Sequence, residues 1–203
     1  LVSIQSNAFA EFRGSFRIAS GAFPTLRTIE PGAFQRTGLP ASADQHPSAN
    51  KIELVNQHRL TKIRSRAFAG FAGAIIMKGE FPRLAGIDVS AFDMGDISSL
   101  EGGLDASDVS ARIFNSRKSS IELINLPRLQ LVGESAFRNI LGTVRVAGCF
   151  PMLREIQQHA FLNVANLTFS MPHGGPALRC IGGRPFAAGT TELLLQQHKM
   201  INL

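Results

Sequence analysis

Apolar residues recur along this chain in a twelve-residue phrase. It reads FPTLRTIEPGAF at residues 23–34, FPRLAGIDVSAF at 81–92 and FPMLREIQQHAF at 150–161. The letters Phe, Pro, Leu, Ile, Ala and Phe keep their places, while nearly every polar letter changes. Positions that face a core stay apolar and positions that face water drift. The phrase therefore predicts a segment with one buried face.

A reduced form of the phrase, aliphatic-x-x-aliphatic-x-x-x-x-Phe, occurs seven times. Its leading residues recur at steps of 25, 34, 24, 45, 24, 25 and 22 residues, the last step leading to an unfinished copy at Met200. Periods of about 20–29 residues with aliphatic residues at fixed offsets are typical of leucine-rich solenoids. The copies are Leu1-Ile4-Phe9, Leu26-Ile29-Phe34, Leu60-Ile63-Phe68, Leu84-Ile87-Phe92, Leu129-Val132-Phe137, Leu153-Ile156-Phe161 and Leu178-Ile181-Phe186.

A second element, an apolar triplet that alternates in most copies, follows each phrase and predicts a short β-strand. Stacked coils would place seven such strands side by side about 4.8 Å apart as a parallel sheet. We therefore expect a single leucine-rich-repeat solenoid over 1–203, part of a longer array, with about seven coils of 24–25 residues. Each coil should hold one parallel strand, turns and short helical or 3-10 segments. The triplets begin at Phe16, Ile52, Ile75, Ile121, Val144, Leu167 and Leu193.

The order L-x-x-I-x-x-x-A-F followed by a short strand resembles the BspA-type leucine-rich repeats of bacterial surface proteins and of many protists. The Ala-Phe pair, present in six of the seven copies, is the most specific part of the resemblance. Three places after the Phe, where that family usually has a small residue or Cys, this chain has Phe12, Phe71, Ile140 and Val164. The resemblance implies a solenoid fold and a surface or secreted location.

Two steps are longer than the period and predict surface insertions, at about 35–50 and 93–120. The first is rich in Pro, Ser, Gly and Ala, which is typical of a loop. The second contains five acidic residues whose spacing does not match a calcium loop, so a solvated loop is expected. Those residues are Asp93, Asp96, Glu101, Asp105 and Asp108.

The side chains that usually carry catalysis show no recognisable arrangement. The five histidines lack metal-ligand spacing, and the glycine pairs do not form a phosphate loop. Cys149 and Cys180 fall at different places around neighbouring coils, too far apart for a disulfide, and are expected to be free, at least partly buried thiols. We therefore expect no enzyme, cofactor or metal. No apolar run is long enough to span a membrane.

The predicted strands offer one candidate partner-binding face. Successive side chains of a strand point to opposite sides of the sheet, so the central residue of each triplet should face outward. Arg17 beside Glu53 and Glu122 beside Arg145 would then form cross-strand pairs of opposite charge. The whole predicted sheet face is Arg17, Glu53, Ile76, Glu122, Arg145, Thr168 and Leu194.

Basic residues offer a second candidate surface, because many of them flank the leading aliphatic residue of the phrase. Equivalent positions stack on a solenoid, so these side chains should form one or two adjacent columns along an edge. The net charge of +6 fits an acidic partner or a nucleic-acid backbone. The candidate basic edge is Arg27, Arg59, Lys62, Arg64, Arg66, Arg83, Arg128, Arg154, Arg179 and Lys199.

The ends of the array form a third candidate surface. A terminal coil exposes its apolar stack and a row of unpaired strand groups, so we expect further repeats or a partner chain to cover the ends. The C-terminal end is the preferred docking site, because Leu193, Leu194, Leu195, Met200, Ile201 and Leu203 are concentrated there.

The sequence thus predicts a protein-interaction or scaffold module, a subunit or segment of a larger assembly that binds chains with an acidic surface. One alternative is an adhesin-like surface protein of the BspA type. Another is a ribonucleoprotein component that contacts the nucleic-acid backbone. Free cysteines and basic charge favour an intracellular location, whereas the family resemblance favours the surface.

Overall fold

The protein is a solenoid in which each coil contributes one strand to each of two parallel sheets. The computed structural model describes residues 1–12, 17–19, 21–37, 50–71, 73–95, 119–171, 177–184 and 192–195, with backbone alone at 17–18 and 192–195. The short-strand sheet comprises β1 (Ser3–Ile4), β3 (Thr28–Ile29), β5 (Lys62–Ile63), β7 (Gly86–Ile87), β9 (Leu131–Val132), β11 (Glu155–Ile156) and β13 (Cys180–Ile181). The long-strand sheet comprises β2 (Arg17–Ile18), β4 (Lys51–Val55), β6 (Ala74–Lys78), β8 (Ser120–Ile124), β10 (Thr143–Ala147), β12 (Asn166–Met171) and β14 (Glu192–Leu195).

The solenoid fold and the parallel triplet strands are confirmed. Two details differ from the expectation. The first half of the phrase forms a strand of its own, which gives a second sheet. Among the described residues, the segment around each Phe is a series of turns, and no helical or 3-10 segment occurs. No described helix is therefore long and apolar enough to cross a membrane.

Repeat positions are counted from the leading aliphatic residue as position 1, so that the conserved apolar positions are 1, 4, 8 and 9. In the five coils that begin at Leu26, Leu60, Leu84, Leu129 and Leu153, all four side chains are at most 2% exposed. Inward residues of the long strands belong to the same core cluster. The apolar letters of the phrase are thus constant because they fill the interior between the sheets.

The position-9 phenylalanines form a continuous column of stacked rings. Ring centroids of neighbouring coils are 5.0 to 5.2 Å apart and the planes lie within 10° of parallel. Offset parallel stacking is a favourable arrangement for aromatic rings. The column lies in the core, because five of its side chains are at most 1% exposed: Phe34, Phe68, Phe92, Phe137 and Phe161.

Position 8 is a small residue because it is buried where the backbones of neighbouring coils are hydrogen-bonded. From Phe9 to Phe137, the amide of each position-9 Phe donates to the carbonyl of the position-8 Ala in the next coil, for example Phe68 N to Ala91 O at 2.7 Å and Phe137 N to Ala160 O at 2.8 Å. The position-8 Ala of these two coils is fully buried. A larger side chain here would have no space. The interior and the backbone hydrogen bonds thus account together for the Ala-Phe pair.

The turns bend because a residue near each Phe has a positive φ. Every described position 7 has φ between 49° and 65°, whether Asn, Gly, Arg, Ser or His. Such left-handed conformations allow tight changes of direction but cost energy for residues other than glycine. They are held by the coil-to-coil amide hydrogen bonds on either side, such as Arg66 N to Val89 O at 3.0 Å.

The described residues beside the insertions belong to the coils. Thr37 is fully buried, and its hydroxyl donates to the carbonyl of Phe9. Asp93, predicted to be a solvated loop residue, is instead only 6% exposed. Its carboxylate accepts hydrogen bonds from the Arg138 guanidinium at 2.7 to 3.2 Å and from the Gly95 amide at 2.9 Å. Asp96, Glu101, Asp105 and Asp108 lie outside the described residues.

Candidate binding surfaces

The outer face of the long-strand sheet presents the central triplet residues to solvent. Arg145 is exposed, while Glu53, Ile76, Glu122 and Thr168 are partly exposed, and their neighbours along each strand are buried. This alternation is the expected one, because successive strand residues face opposite sides. For Arg17 and Leu194 the structure describes backbone position alone.

The predicted row of central residues does not run straight across the sheet. Arg17 pairs with Lys51 rather than Glu53, Ile76 pairs with Ser120 rather than Glu122, and Leu194 pairs with Ser170 rather than Thr168. Each difference is a shift of two residues, which keeps side chains on the same face, whereas a shift of one would reverse them. Two of the three shifts occur where an insertion separates the strands in sequence.

The predicted charge pairs on this face are therefore corrected. Arg17 lies opposite a lysine, and Glu53 forms its ion pair with Lys51 on its own strand. Arg145 does pair in register with Glu122, but their side chains form no ion pair within the described part of the chain. The result is a rigid outer face that mixes charged, hydroxyl and aliphatic side chains.

The turns that connect the long strands to the short strands form the second surface. In five coils the amide at position 1 donates to the carbonyl three residues earlier, at 3.1 to 3.3 Å. This hydrogen bond defines a β-turn, and Pro is favoured at its second residue. Arg59, Arg83 and Arg128 occupy the third residue of this turn in three successive coils and are exposed.

A backbone ladder aligns these turns. The amide at position 2 of each coil donates to the carbonyl at position 2 of the preceding coil. These hydrogen bonds are 2.7 to 2.9 Å long, and the series begins with Arg27 N–Val2 O and ends with Arg179 N–Arg154 O. The ladder continues across the second insertion through Gln130 N and Ala85 O at 2.9 Å. Strands paired in this way are about 4.8 Å apart, so the arginines beside the ladder follow one edge.

Six of the ten predicted basic residues line this edge, one from each coil after the first. They are exposed, and none forms an ion pair or hydrogen bond through its side chain with a described residue. We define them together as the arginine edge: Arg27, Arg59, Arg83, Arg128, Arg154 and Arg179.

Three of the other four predicted basic residues are described, and they are placed differently. Lys62 is exposed on β5 beside the edge, and Arg64 lies further round the coil within 3.8 Å of the Asp88 carboxylate. Arg66 is a position-7 residue beside a shallow groove with Gly32 and Ser65. Lys199 lies outside the described residues. Lys62, Arg64 and Arg66 therefore do not extend the arginine edge.

A row of prolines beside the arginines escaped the sequence prediction. Pro24, Pro82, Pro127 and Pro151 occupy the second residue of the same β-turn and are exposed, with His58 at that place in the remaining coil. The signal was present in the repeated Phe-Pro and Leu-Pro pairs, but these could equally indicate buried turns. The edge therefore combines a charged row with an apolar row.

The described coil at one end of the stack also exposes apolar side chains. Leu1 is 62%, Val2 57%, Phe9 38% and Phe12 47% exposed. Of the residues predicted to form a C-terminal docking end, Leu193 and Leu195 have described backbones in β14, at the edge of the long-strand sheet. Met200, Ile201 and Leu203 lie outside the described residues.

The cysteine, histidine and acidic side chains form no recognisable reactive centre within the described residues. Within the described ranges, no three His, Cys, Asp or Glu residues cluster as a metal site would require. Cys149 and Cys180 are both free, but both are exposed rather than buried or partly buried. The reason is their position, since Cys149 lies in a turn between strands and Cys180 on the outer side of β13.

Comparisons with family models, curated proteins and solved structures gave no match. The resemblance to BspA-type repeats therefore rests on the repeated motif, whose apolar positions the core packing explains.

Proposed function

We propose that this protein is a non-catalytic protein-binding module that acts as a scaffold within a larger assembly. The observation that carries the proposal is the rigid, mixed outer face of the long-strand sheet. Its five central strands are joined by parallel backbone pairing from β4 to β12, so the backbone that carries these side chains is ordered before any partner arrives. Preorganised surfaces lose less conformational entropy on binding.

The chemistry of the face supports a protein partner. Ile76 on β6 and Arg145 on β10 lie among hydroxyl and aliphatic residues, including Thr168 on β12. Protein interfaces combine aliphatic contact with polar and arginine contacts in this way. A partner with complementary acidic and apolar groups would fit.

The test is affinity capture with the full-length native protein and two matched variants. Ile76→Ser/Arg145→Ser removes one aliphatic and one basic side chain from the long-strand face. Leu131→Ser/Lys62→Ser makes the same chemical change on the outer side of the short-strand sheet, where both residues are partly or fully exposed. Captured proteins are quantified by mass spectrometry from the native host.

We expect a defined set of proteins to be retained by the wild type and the short-strand variant and lost from the long-strand variant. Equal retention by both variants would contradict binding through this face. The absence of any protein captured above background by the wild type would contradict the proposed function itself.

A further inference from the structure

We infer that the arginine edge docks an acidic, partly apolar polypeptide segment that lies along the solenoid axis. This inference rests on the proposed function as a protein-binding module and adds a second surface with a partner of stated chemistry. It is independent of the long-strand face, because the edge is formed by turns.

The arginine edge holds positive charge in a fixed line. The arginine edge places one exposed guanidinium on each of six successive coils without an ion-pair partner among the described residues. The position-2 ladder holds neighbouring coils at strand spacing. Like charges repel at such distances, so a bound row of carboxylates would relieve repulsion as well as form new pairs. Arginine suits this role because its planar guanidinium can bind a carboxylate through two hydrogen bonds.

The exposed proline row adds an apolar surface beside these charges. Pro24, Pro82, Pro127 and Pro151 stand directly before the third residue of the turn, which is Arg83 and Arg128 in two of these coils. Proline has no amide hydrogen to donate and presents an apolar ring. This row would contact aliphatic side chains, whereas it offers nothing to a phosphate backbone.

The composition also disfavours a nucleic-acid strand at this edge. Binding of single strands relies on aromatic side chains that stack with bases. The chain contains no Trp and no Tyr, and the position-9 phenylalanines of the coils that begin at Leu26 to Leu153 are buried. A polypeptide with alternating acidic and apolar residues uses both rows of the edge.

The dimensions set the length of the segment. Six coils are separated by five strand spacings, which amounts to about 24 Å. An extended polypeptide covers about 3.3 Å per residue. A segment of about seven or eight residues would therefore cover the whole edge.

The experiment measures binding of a labelled peptide of about twelve residues, built from Glu-Leu-Glu-Pro units, to the full chain by fluorescence anisotropy. The edge variant is Arg59→Gln/Arg83→Gln/Arg128→Gln. The control Arg36→Gln/Arg66→Gln/Arg184→Gln removes the same charge from exposed positions away from both the arginine edge and the long-strand face. We expect affinity to fall about tenfold in the edge variant, as for three exposed ion pairs, and less than about twofold in the control.

Two further probes test the chemistry of the partner. A peptide with Gly in place of Leu is expected to bind several-fold more weakly, because it lacks contacts to the prolines. An oligouridylate of equal charge is expected to bind more weakly than the leucine peptide. The inference would be overturned by no binding of the leucine peptide, by equal losses in the two triple variants, by equal binding of the glycine peptide, or by tighter binding of the oligouridylate.

These outcomes are distinguishable from failure of the proposed function. Ile76→Ser/Arg145→Ser is expected to leave peptide binding nearly unchanged, since it alters the long-strand face. If the peptide fails to bind while that variant still loses its captured proteins, the arginine-edge inference is wrong and the protein-binding function stands.

Discussion

Gln57 is a polar residue at a position that neighbouring coils fill with an apolar side chain. It lies three residues before position 1, where other coils have Phe23, Phe81, Leu126 and Phe150. The side chain is 5% exposed; its amide nitrogen donates to Val55 O at 3.1 Å, while its amide oxygen has no hydrogen-bond partner. A buried unsatisfied acceptor is destabilising.

Gln57→Leu is therefore expected to stabilise the protein by about 1 kcal/mol. The reason is that the free-energy cost of the buried unsatisfied acceptor exceeds the stabilisation from the one hydrogen bond that is lost. Urea denaturation would measure the change in the free energy of unfolding. Gln57→Glu, which has nearly the same shape, should destabilise the protein because it buries a charge. A loss of stability in the leucine variant would contradict this account.

Phe137 tests the stacked column. It is fully buried, and its ring stacks on Phe92 and Phe161 at 5.2 Å on both sides. Phe137→Ala is expected to lower the free energy of unfolding by about 3–5 kcal/mol, through lost burial and the cavity it leaves.

The matched control is Phe9→Ala. Phe9 holds the same repeat position but is 38% exposed. A loss of about 1–2 kcal/mol in the free energy of unfolding is expected, because a partly exposed ring buries less apolar area. Equal losses in the two variants would show that the column does not contribute through burial.

Element by element, the sequence predicted strand identity well and strand register poorly. Period-2 alternation in segments such as Ile121-Glu122-Leu123 predicts which side chains face inward. In the structure Ile121 and Leu123 are buried, as predicted. Register depends on where the chain re-enters the sheet after an insertion, as at Ile76 and Ser120. No local pattern encodes a two-residue shift, because such a shift leaves the same residues facing the core.

The short strands of two residues were missed for a related reason. In the segment Arg27-Thr28-Ile29, one polar and one apolar residue are too few to show a period. Pairing with the neighbouring coils makes the segment a strand. The second sheet is thus a property of the stack rather than of any coil.

The Arg138–Asp93 pair is expected to anchor the coil that precedes the second insertion. The Asp93 side chain is 8% exposed, and the Arg138 side chain is 37% exposed. Arg138→Ala would leave a buried carboxylate without its main partner, and we expect a loss of about 1–3 kcal/mol in the free energy of unfolding.

Arg64→Ala is the control for this pair, because Arg64 lies 3.8 Å from Asp88 with 40% of its side chain exposed. The Asp88 side chain is 23% exposed, against 8% for Asp93, and ion pairs near the surface contribute about 0–1 kcal/mol. Chemical denaturation should therefore show a larger loss of stability for Arg138→Ala than for Arg64→Ala. If Arg138→Ala lowered the free energy of unfolding no more than Arg64→Ala does, burial of Asp93 would not depend on its ion pair with Arg138.

At the scale of the whole molecule, each coil pairs only with its neighbours in both described sheets. Solenoids built in this way bury their core between coils, so a coil at the edge of the stack leaves one side of its core uncovered. The coil of residues 1–12 shows this, because Leu1, Val2 and Phe12 are each between 47% and 62% exposed. The period and the apolar phrase predicted that the coils stack. How far the apolar side chains of this coil are exposed could be determined only from the structure.

The 203-residue chain is expected to self-associate through the coil of residues 1–12. Exposed apolar patches combined with unpaired strand edges promote contacts between molecules, and β1 lies at the edge of the short-strand sheet beside Val2. We expect sedimentation velocity to show concentration-dependent association, and Val2→Lys/Phe12→Lys to reduce it at least about threefold in apparent affinity through lost apolar contact and added repulsion. The control Val89→Lys/Met152→Lys adds the same charge at apolar side chains that are 43% and 38% exposed elsewhere on the coils. Association that persists unchanged in the first variant, or that falls equally in both, would show that this coil is not the contacting surface.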